Sequence, residues 1–220
     1  MKRAQASLIC AALLLPGSPA NAQTQNAQRW DFQVFLDDAP IGFHHYTLRE
    51  SGAERELKIE ARFDVKLLFI TAYRYTHAAS ERWRGHCLTQ LSARTDDNGD
   101  KSEISTEQQG ERLTISAITN TTTQGGRESA DGCVMSFAYW NPEMLRQTRL
   151  LNAQTGKLET VTVTPVGEEK ITVRGTLVAA RRYRISGAKH PIDLWYGSDR
   201  QWLALQSTLE SGRRLRYQLK

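Results

Sequence analysis

Apolar and polar side chains alternate over almost the whole of this chain. "RWDFQVFL" (29–36) sets Trp30, Phe32, Val34 and Leu36 against polar neighbours, and "ERELKIEARFDV" (54–65) does the same with Leu57, Ile59, Ala61, Phe63 and Val65. A period of two is the signature of a half-buried β-strand, because successive side chains point to opposite faces. Turn formers punctuate the pattern. "DDAP" (37–40) combines carboxylates that bond nearby amides with a proline that fixes φ. Asn98-Gly99, between "CLTQLSAR" and "SEISTEQ", is a strong hairpin signal. Further strands are predicted at "IGFHHYTL", "TAYRYTHAASERW", "RLTISAI", "KLETVTVTPV", "EEKITVRG", "VAARRYRIS" and "RRLRYQL". The polar, glycine-bearing run 119–132, "TNTTTQGGRESADG", reads as a loop. One short helix is expected from Pro142 to Gln147, with Asn141 as its cap. About a dozen strands and one helix predict a mainly β fold: a strongly twisted antiparallel sheet, curled as a half-open barrel, with the helix as its lid.

The first residues bound the compartment. Lys2 and Arg3 precede an apolar run, Leu8 to Leu15, that is too short to span about 30 Å of hydrocarbon. Ala20-Asn21-Ala22 has the small-x-small spacing that signal peptidase reads. The expectation is a signal peptide at 1–22 cleaved after Ala22, a linker at 23–29, and one antiparallel β domain at 30–220, exported to the periplasm and not membrane-spanning. Removing Lys2 and Arg3 from the 29 basic residues leaves 27 against 24 acidic ones, a net charge of +3. These charges are interleaved along the strands, which argues against nucleic acid as a partner. Two cysteines survive cleavage, Cys87 and Cys133. In an oxidising compartment they suit a disulfide; two separate buried thiols are the alternative.

The stretch "IDLWYGSDRQWLALQ" (192–206) is apolar on both faces. A turn centred between Ser198 and Asp199 would pair Trp195 with Trp202, Leu194 with Leu203 and Ile192 with Leu205, putting the two indoles opposite the leucines. The final hairpin, with Glu210-Ser211-Gly212 as a three-residue loop, would pair Leu205 with Tyr217. One face is core. Two coverings fit the other: the helix segment with Tyr139 and Trp140, or a hydrophobic ligand such as a lipid in the cavity that one small helix leaves. The candidate ligand-binding residues are Tyr139, Trp140, Trp195 and Trp202.

Nothing in the pattern selects a catalytic residue, a metal ligand or a cofactor. His44 and His45 are adjacent on a strand and so point to opposite faces, one at the sheet surface and one beside aromatic neighbours. His86 precedes Cys87, but adjacency is not the geometry of a Cys–His dyad. The carboxylates of "DDNGD" lie in a predicted turn without the spacing of a calcium loop.

The segments "RWDFQVFLDDAPIGFHHYTL", "SFAYWNPEML" and "HPIDLWYGSDRQWLALQSTLESGRRLRYQL" resemble a family of secreted proteobacterial proteins that is one of the domains of unknown function. The resemblance runs over nearly the whole mature chain. It implies a periplasmic, mainly antiparallel β domain, distantly similar to the half-barrels that carry lipoproteins or lipids across the periplasm. Two functions from different classes follow as expectations: a non-enzymatic binder of a hydrophobic ligand on the concave sheet face, or an envelope module that docks another protein through open strand edges or basic clusters.

Overall fold

The computed structural model describes residues 26–67, 70–120 and 122–220. The expected signal peptide, 1–22, and residues 23–25 lie outside them. β1 (Asn26–Leu36), β2 (Ala39–Ser51), β3 (Glu54–Leu67), β4 (Ile70–Arg84), β5 (Cys87–Asp97), β6 (Asp100–Gln109), β7 (Arg112–Thr119) and β8 (Thr122–Asp131) follow one another as an antiparallel meander. The chain then makes a 3-10 helix, Pro142–Arg146, and a small ladder of β9 (Arg149–Leu151) with β10 (Leu158–Thr160). It returns to the sheet as β11 (Thr162–Val173), β12 (Thr176–Ser186), β13 (Ile192–Tyr196), β14 (Trp202–Thr208) and β15 (Arg214–Leu219). β15 pairs with β1, so one 13-stranded sheet runs from β11 through β15 to β1 and on to β8. Its outermost strands, β11 and β8, do not pair with each other, and the curl stays open.

The alternation explains the curl. β1 buries Trp30, Phe32, Val34 and Leu36, and β4 buries Tyr75, His77, Ala79, Glu81 and Trp83, all on one face. A long sheet with one apolar face gains by rolling that face inward, away from water. The turns behave as the residues require. Asn98 (φ 55°) and Gly99 (φ 100°) form the two-residue turn between β5 and β6, where both central residues need positive φ. Gly42 (φ 154°) lies where β2 crosses closest to β3; a Cβ there would stand 1.8 Å from the carbonyl oxygen of Arg62.

The inner face is partly filled by the chain itself. Residues 132–161 cross it and bury Val134, Met135, Ala138, Trp140, Met144, Leu150, Leu151 and Val161. The helix forms as expected: Asn141 Oδ1 accepts from the amide of Glu143, and Pro142 stands at the first turn. It ends one residue early, at Arg146. A disulfide joins Cys87 of β5 to Cys133 (Cα–Cα 4.9 Å), and tethers this plug where it leaves the sheet.

Two expectations need correction. The run 119–132, read as a loop, is mostly β8, paired along β7 from Arg112↔Asp131 to Thr119↔Thr122. Its outer edge is unpaired and the residues described there, 126–129 and 131, are exposed, so strand pairing overrides the polar composition. Likewise Asn26–Arg29, assigned to the linker, already pair with Thr47–Glu50 of β2.

Candidate functional site

The β13–β14 hairpin turns through five residues, 197–201, closed by hydrogen bonds from the Gly197 amide to Gln201 O and from the Arg200 amide to Gly197 O. Its register differs from the expected one. Leu194 pairs with Leu205, Trp195 with Ala204, and Tyr196 with Trp202, so Leu203 is an extra residue in a β-bulge. A bulge sets two residues against one and changes which face the chain presents beyond it. Trp202 is therefore turned into the main core beside Tyr196 and Leu194, while Leu203 joins Trp195 on the opposite face. The Trp195–Trp202 pair does not form. The Leu205↔Tyr217 pairing of the last hairpin does.

Both faces are covered, by different parts of the chain. Trp202 has no exposed surface; it packs on Phe32 (4.4 Å between rings), Tyr46 (5.1 Å) and Tyr139 (5.3 Å). On the outer face the β11–β12 ribbon packs Ile171, Val173, Val178 and Ala180 around Trp195, Leu203 and Ala204. Trp195 Nε1 donates to Glu169 (2.7 Å), and the Arg182 guanidinium stacks over its ring (5.2 Å). The structure thus brings together Tyr139, Trp140 and Trp202 around the plug and leaves Trp195 elsewhere. Trp140 meets Trp83 edge-on (5.5 Å), and the carbonyl of Tyr139 accepts from the phenol of Tyr196 (2.7 Å).

The inner face divides into two stretches. Trp30, Phe32, Leu57, Trp83 and Leu91 of the sheet and Met144, Leu150 and Leu151 of the plug are at most 1% exposed. Nearer the turns at 37–38 and 98–99, solvent still reaches His44 (9%), Phe63 (7%), Tyr75 (6%), His77 (5%), Thr95 (7%) and Tyr217 (8%). These six come from β2, β3, β4, β5 and β15 and form a continuous aromatic lining. Phe63 stacks on Tyr75 (5.0 Å), His44 meets Tyr217 (5.5 Å) and Phe63 (6.3 Å), and Tyr75 stacks on His77 (6.4 Å).

The polar atoms of this lining are specific. The phenols of Tyr217 and Tyr46 stand 3.2 and 3.3 Å from Nδ1 of His44, and His77 Nδ1 bonds Thr95 Oγ1 at 2.9 Å. Burial holds both imidazoles neutral: it pushes His44 well below its ordinary pKa, and His77 down to about 4. Nδ1 of His44 bonds the two phenols as donor or acceptor according to the tautomer of the ring, and Nε2 of the same ring is buried without a hydrogen-bond partner. One layer deeper, Glu81 accepts from Trp83 Nε1 (3.0 Å) and from Ser136 Oγ of the plug (2.9 Å). Its burial outweighs those two bonds and pushes its pKa up to about 7.

The sequence signal for this site was the pair His44-His45. The structure stacks His45 on Phe43 outside (4.3 Å) and His44 on Tyr46 inside (4.4 Å), which places one imidazole in the lining. Elsewhere, a cleft beside the turn at 52–53 is lined by Arg49, Glu50, Glu54, Arg55, Glu56 and Arg82. It is polar, with Arg55 paired to Glu50 (2.9 Å), and lies apart from the aromatic lining. Among the described residues, no three His, Cys, Asp or Glu side chains are placed to hold a metal ion, and no helix is long and apolar enough to cross a membrane.

The fold has a solved counterpart. A β-barrel-like protein of domain of unknown function DUF1849 from Brucella abortus superposes with a TM-score of 0.62 over 87% of this chain and 94% of its own, at 9% identity. At that identity the likeness concerns the fold alone. No curated protein matches the chain. A family model does match, over residues 32–220. The meander, the plug and the closing hairpins all lie within that span, and the chain belongs to the family described as domain of unknown function DUF6134.

Proposed function

We propose that this domain is a non-enzymatic carrier that holds an apolar ligand, a lipid or acyl chain, against the aromatic lining of its half-barrel. One observation carries the reading. Outside the plug, His44, Phe63, Tyr75, His77, Thr95 and Tyr217 line the inner face, each buried but with 5–9% of its surface still exposed. A wall of aromatic rings with a few convergent polar atoms is the usual lining of a small-molecule site. The periplasm is the proposed compartment, on the strength of the apolar run at 8–15, the Ala20-Asn21-Ala22 spacing and the Cys87–Cys133 bridge. The resemblance to lipid-carrying half-barrels points the same way.

Native mass spectrometry of protein purified from the periplasm tests this. The expected result is a bound lipid-sized adduct that is lost on denaturation. Protein that carries no adduct, and whose tryptophan emission ignores envelope lipid extracts, would sink the reading.

A second reading has one observation in its favour: β8 offers ten residues of unpaired edge to which an envelope protein could add a strand. The opposite edge, β11, is blunted by Pro165 and a bulge before Gly167. Docking through the basic clusters has less support. Arg181 pairs with Glu168, Arg182 with Asp193 and Arg213 with Asp37, so these charges are already answered within the chain. Crosslinking from a photoreactive residue at Ser129 to a periplasmic protein would favour this reading over the first.

A further inference from the structure

We propose that Glu81 is a pH-sensitive latch for the plug: loss of its proton loosens residues 134–151 from the sheet while the disulfide keeps them attached. Glu81 is 2% exposed, and its carboxyl group is shared between the two parts that move. Oε2 accepts from Trp83 Nε1 of the sheet (3.0 Å), and Oε1 accepts from Ser136 Oγ of the plug (2.9 Å), itself 2% exposed. Leu57 of β3 and Leu91 of β5 stand opposite Glu81. The titratable group that faces it from β2 is the Tyr46 phenol, which burial keeps neutral. Among the described residues no arginine, lysine or histidine pairs with the carboxyl group. Burial without a counter-charge disfavours the ionised form and pushes the pKa up to about 7. When the plug lifts, water reaches the group and its proton affinity falls back, so ionisation favours the lifted form. The latch therefore holds fully below the ordinary value of 4.5 and weakens as pH rises through 7. The ends of the plug allow a local movement: Cys133 stays bonded to Cys87, and Val161 leads into β11. Its other polar ties include uncharged bonds, from the Leu88 amide to Val134 O, the Tyr196 phenol to Tyr139 O and Ser102 Oγ to Gln154 O. Glu143 of the plug, whose pKa the Arg200 guanidinium lowers, stays ionised across neutral pH.

Hydrogen exchange of the full domain, disulfide intact and corrected for the intrinsic pH dependence of amide exchange, tests the latch. From about pH 6 to 8 the corrected rate at Leu151, whose amide donates to Met135 O within the plug, should rise by about ten-fold. Rates at His44 and Tyr46 of β2 should stay within about two-fold. Glu81→Gln, which keeps an acceptor and cannot ionise, should abolish the rise. His86→Gln removes the imidazole that reaches Asn141 Oδ1 of the plug (3.3 Å) and should leave the rise intact. A flat wild-type profile, an equal rise in plug and sheet, or a rise that survives Glu81→Gln or disappears in His86→Gln overturns the proposal. Should the Glu81 variant not fold, the ¹³C-carboxyl resonance of Glu81 in the wild type decides. Plug exchange that changes over a pH range where that resonance does not titrate overturns the latch as well. The latch concerns the stretch that the plug covers, so its failure leaves the carrier reading standing.

Discussion

Two stretches of one concave surface, built from the same alternation of side chains, differ in what lies over them. Beneath residues 132–161 the inner face is dry and close-packed, held by the disulfide at one point and by the Glu81–Ser136 hydrogen bond at another. Around His44 and Tyr217 the same face is lined by rings that solvent still touches. The difference teaches that the curl does not by itself make a core. Residues 132–161 cross part of the inner face, and the side chains beneath them lose the last of their exposure. Beyond that segment the face carries His44, Tyr75, His77 and Tyr217, rings with polar tips, beside Phe63.

The largest expected effect breaks or confirms that contrast directly. Trp83→Ala, under the plug, removes a fully buried indole, its edge-on contact with Trp140 and one of the two donors to Glu81. A loss of about 5 kcal/mol is expected, the upper end for a large aromatic truncated to alanine. Phe63→Ala in the stretch outside the plug should lose less, about 3 kcal/mol, because Phe63 retains some exposure where Trp83 has none. Urea unfolding measures both. Equal losses would mean that the two stretches are packed alike.

Second in size is the tether. Cys87→Ser with Cys133→Ser opens a loop whose ends are 46 residues apart, worth about 4 kcal/mol in the chain-entropy account. The loss should be local in character. Hydrogen exchange at Leu150 and Leu151 of the plug should quicken more than at His44 and Tyr46 of β2. Uniform quickening would show that the plug and the sheet unfold as one unit, and that the division into two stretches has no energetic counterpart.

How much of this was legible in the residues follows from the range of the signals. The period of two places Trp30, Phe32, Leu57 and Phe63 on the inner face, and it does so without tertiary information. The loop with Gly212 fixes Leu205↔Tyr217, because a left-handed residue is needed there. The bulge at Leu203 was not legible. One inserted residue leaves the composition of a strand unchanged, yet it sends Trp202 and Leu203 to faces opposite to those the alternation assigns. β8 was hidden for another reason: an edge strand needs only one partner and no buried side chains, so its polar run imitates a loop. His44 was half legible. Alternation says that one of two adjacent histidines points inward, and only the pairing of Phe32 with His44 decides which.

The smallest effect is the one that joins the two stretches. Glu81 belongs to the sealed part and His77 to the uncovered part, and their proton affinities are displaced in opposite senses. The Glu81 pKa rises from 4.5 unfolded to about 7 folded. Its contribution is complete below pH 4.5 and is lost as pH rises through 7, by about 3 kcal/mol. The His77 pKa falls from 6.5 to about 4. Its contribution is complete above pH 6.5 and is lost as pH falls through 4, by a similar amount of about 3 kcal/mol. Between roughly pH 4.5 and 6.5 the two slopes oppose each other, and His44, displaced in the same direction as His77, tilts the wild-type balance towards loss in acid. Glu81→Gln should therefore steepen the fall in stability on going from pH 6.5 to 4.5. His77→Phe should do the reverse, flattening the acid loss and leaving the decline through neutral pH more visible. Urea midpoints taken at half-unit steps across that range separate the two. If both variants keep the wild-type profile, neither group changes protonation on folding, and the polar atoms of the lining are better solvated than their burial implies.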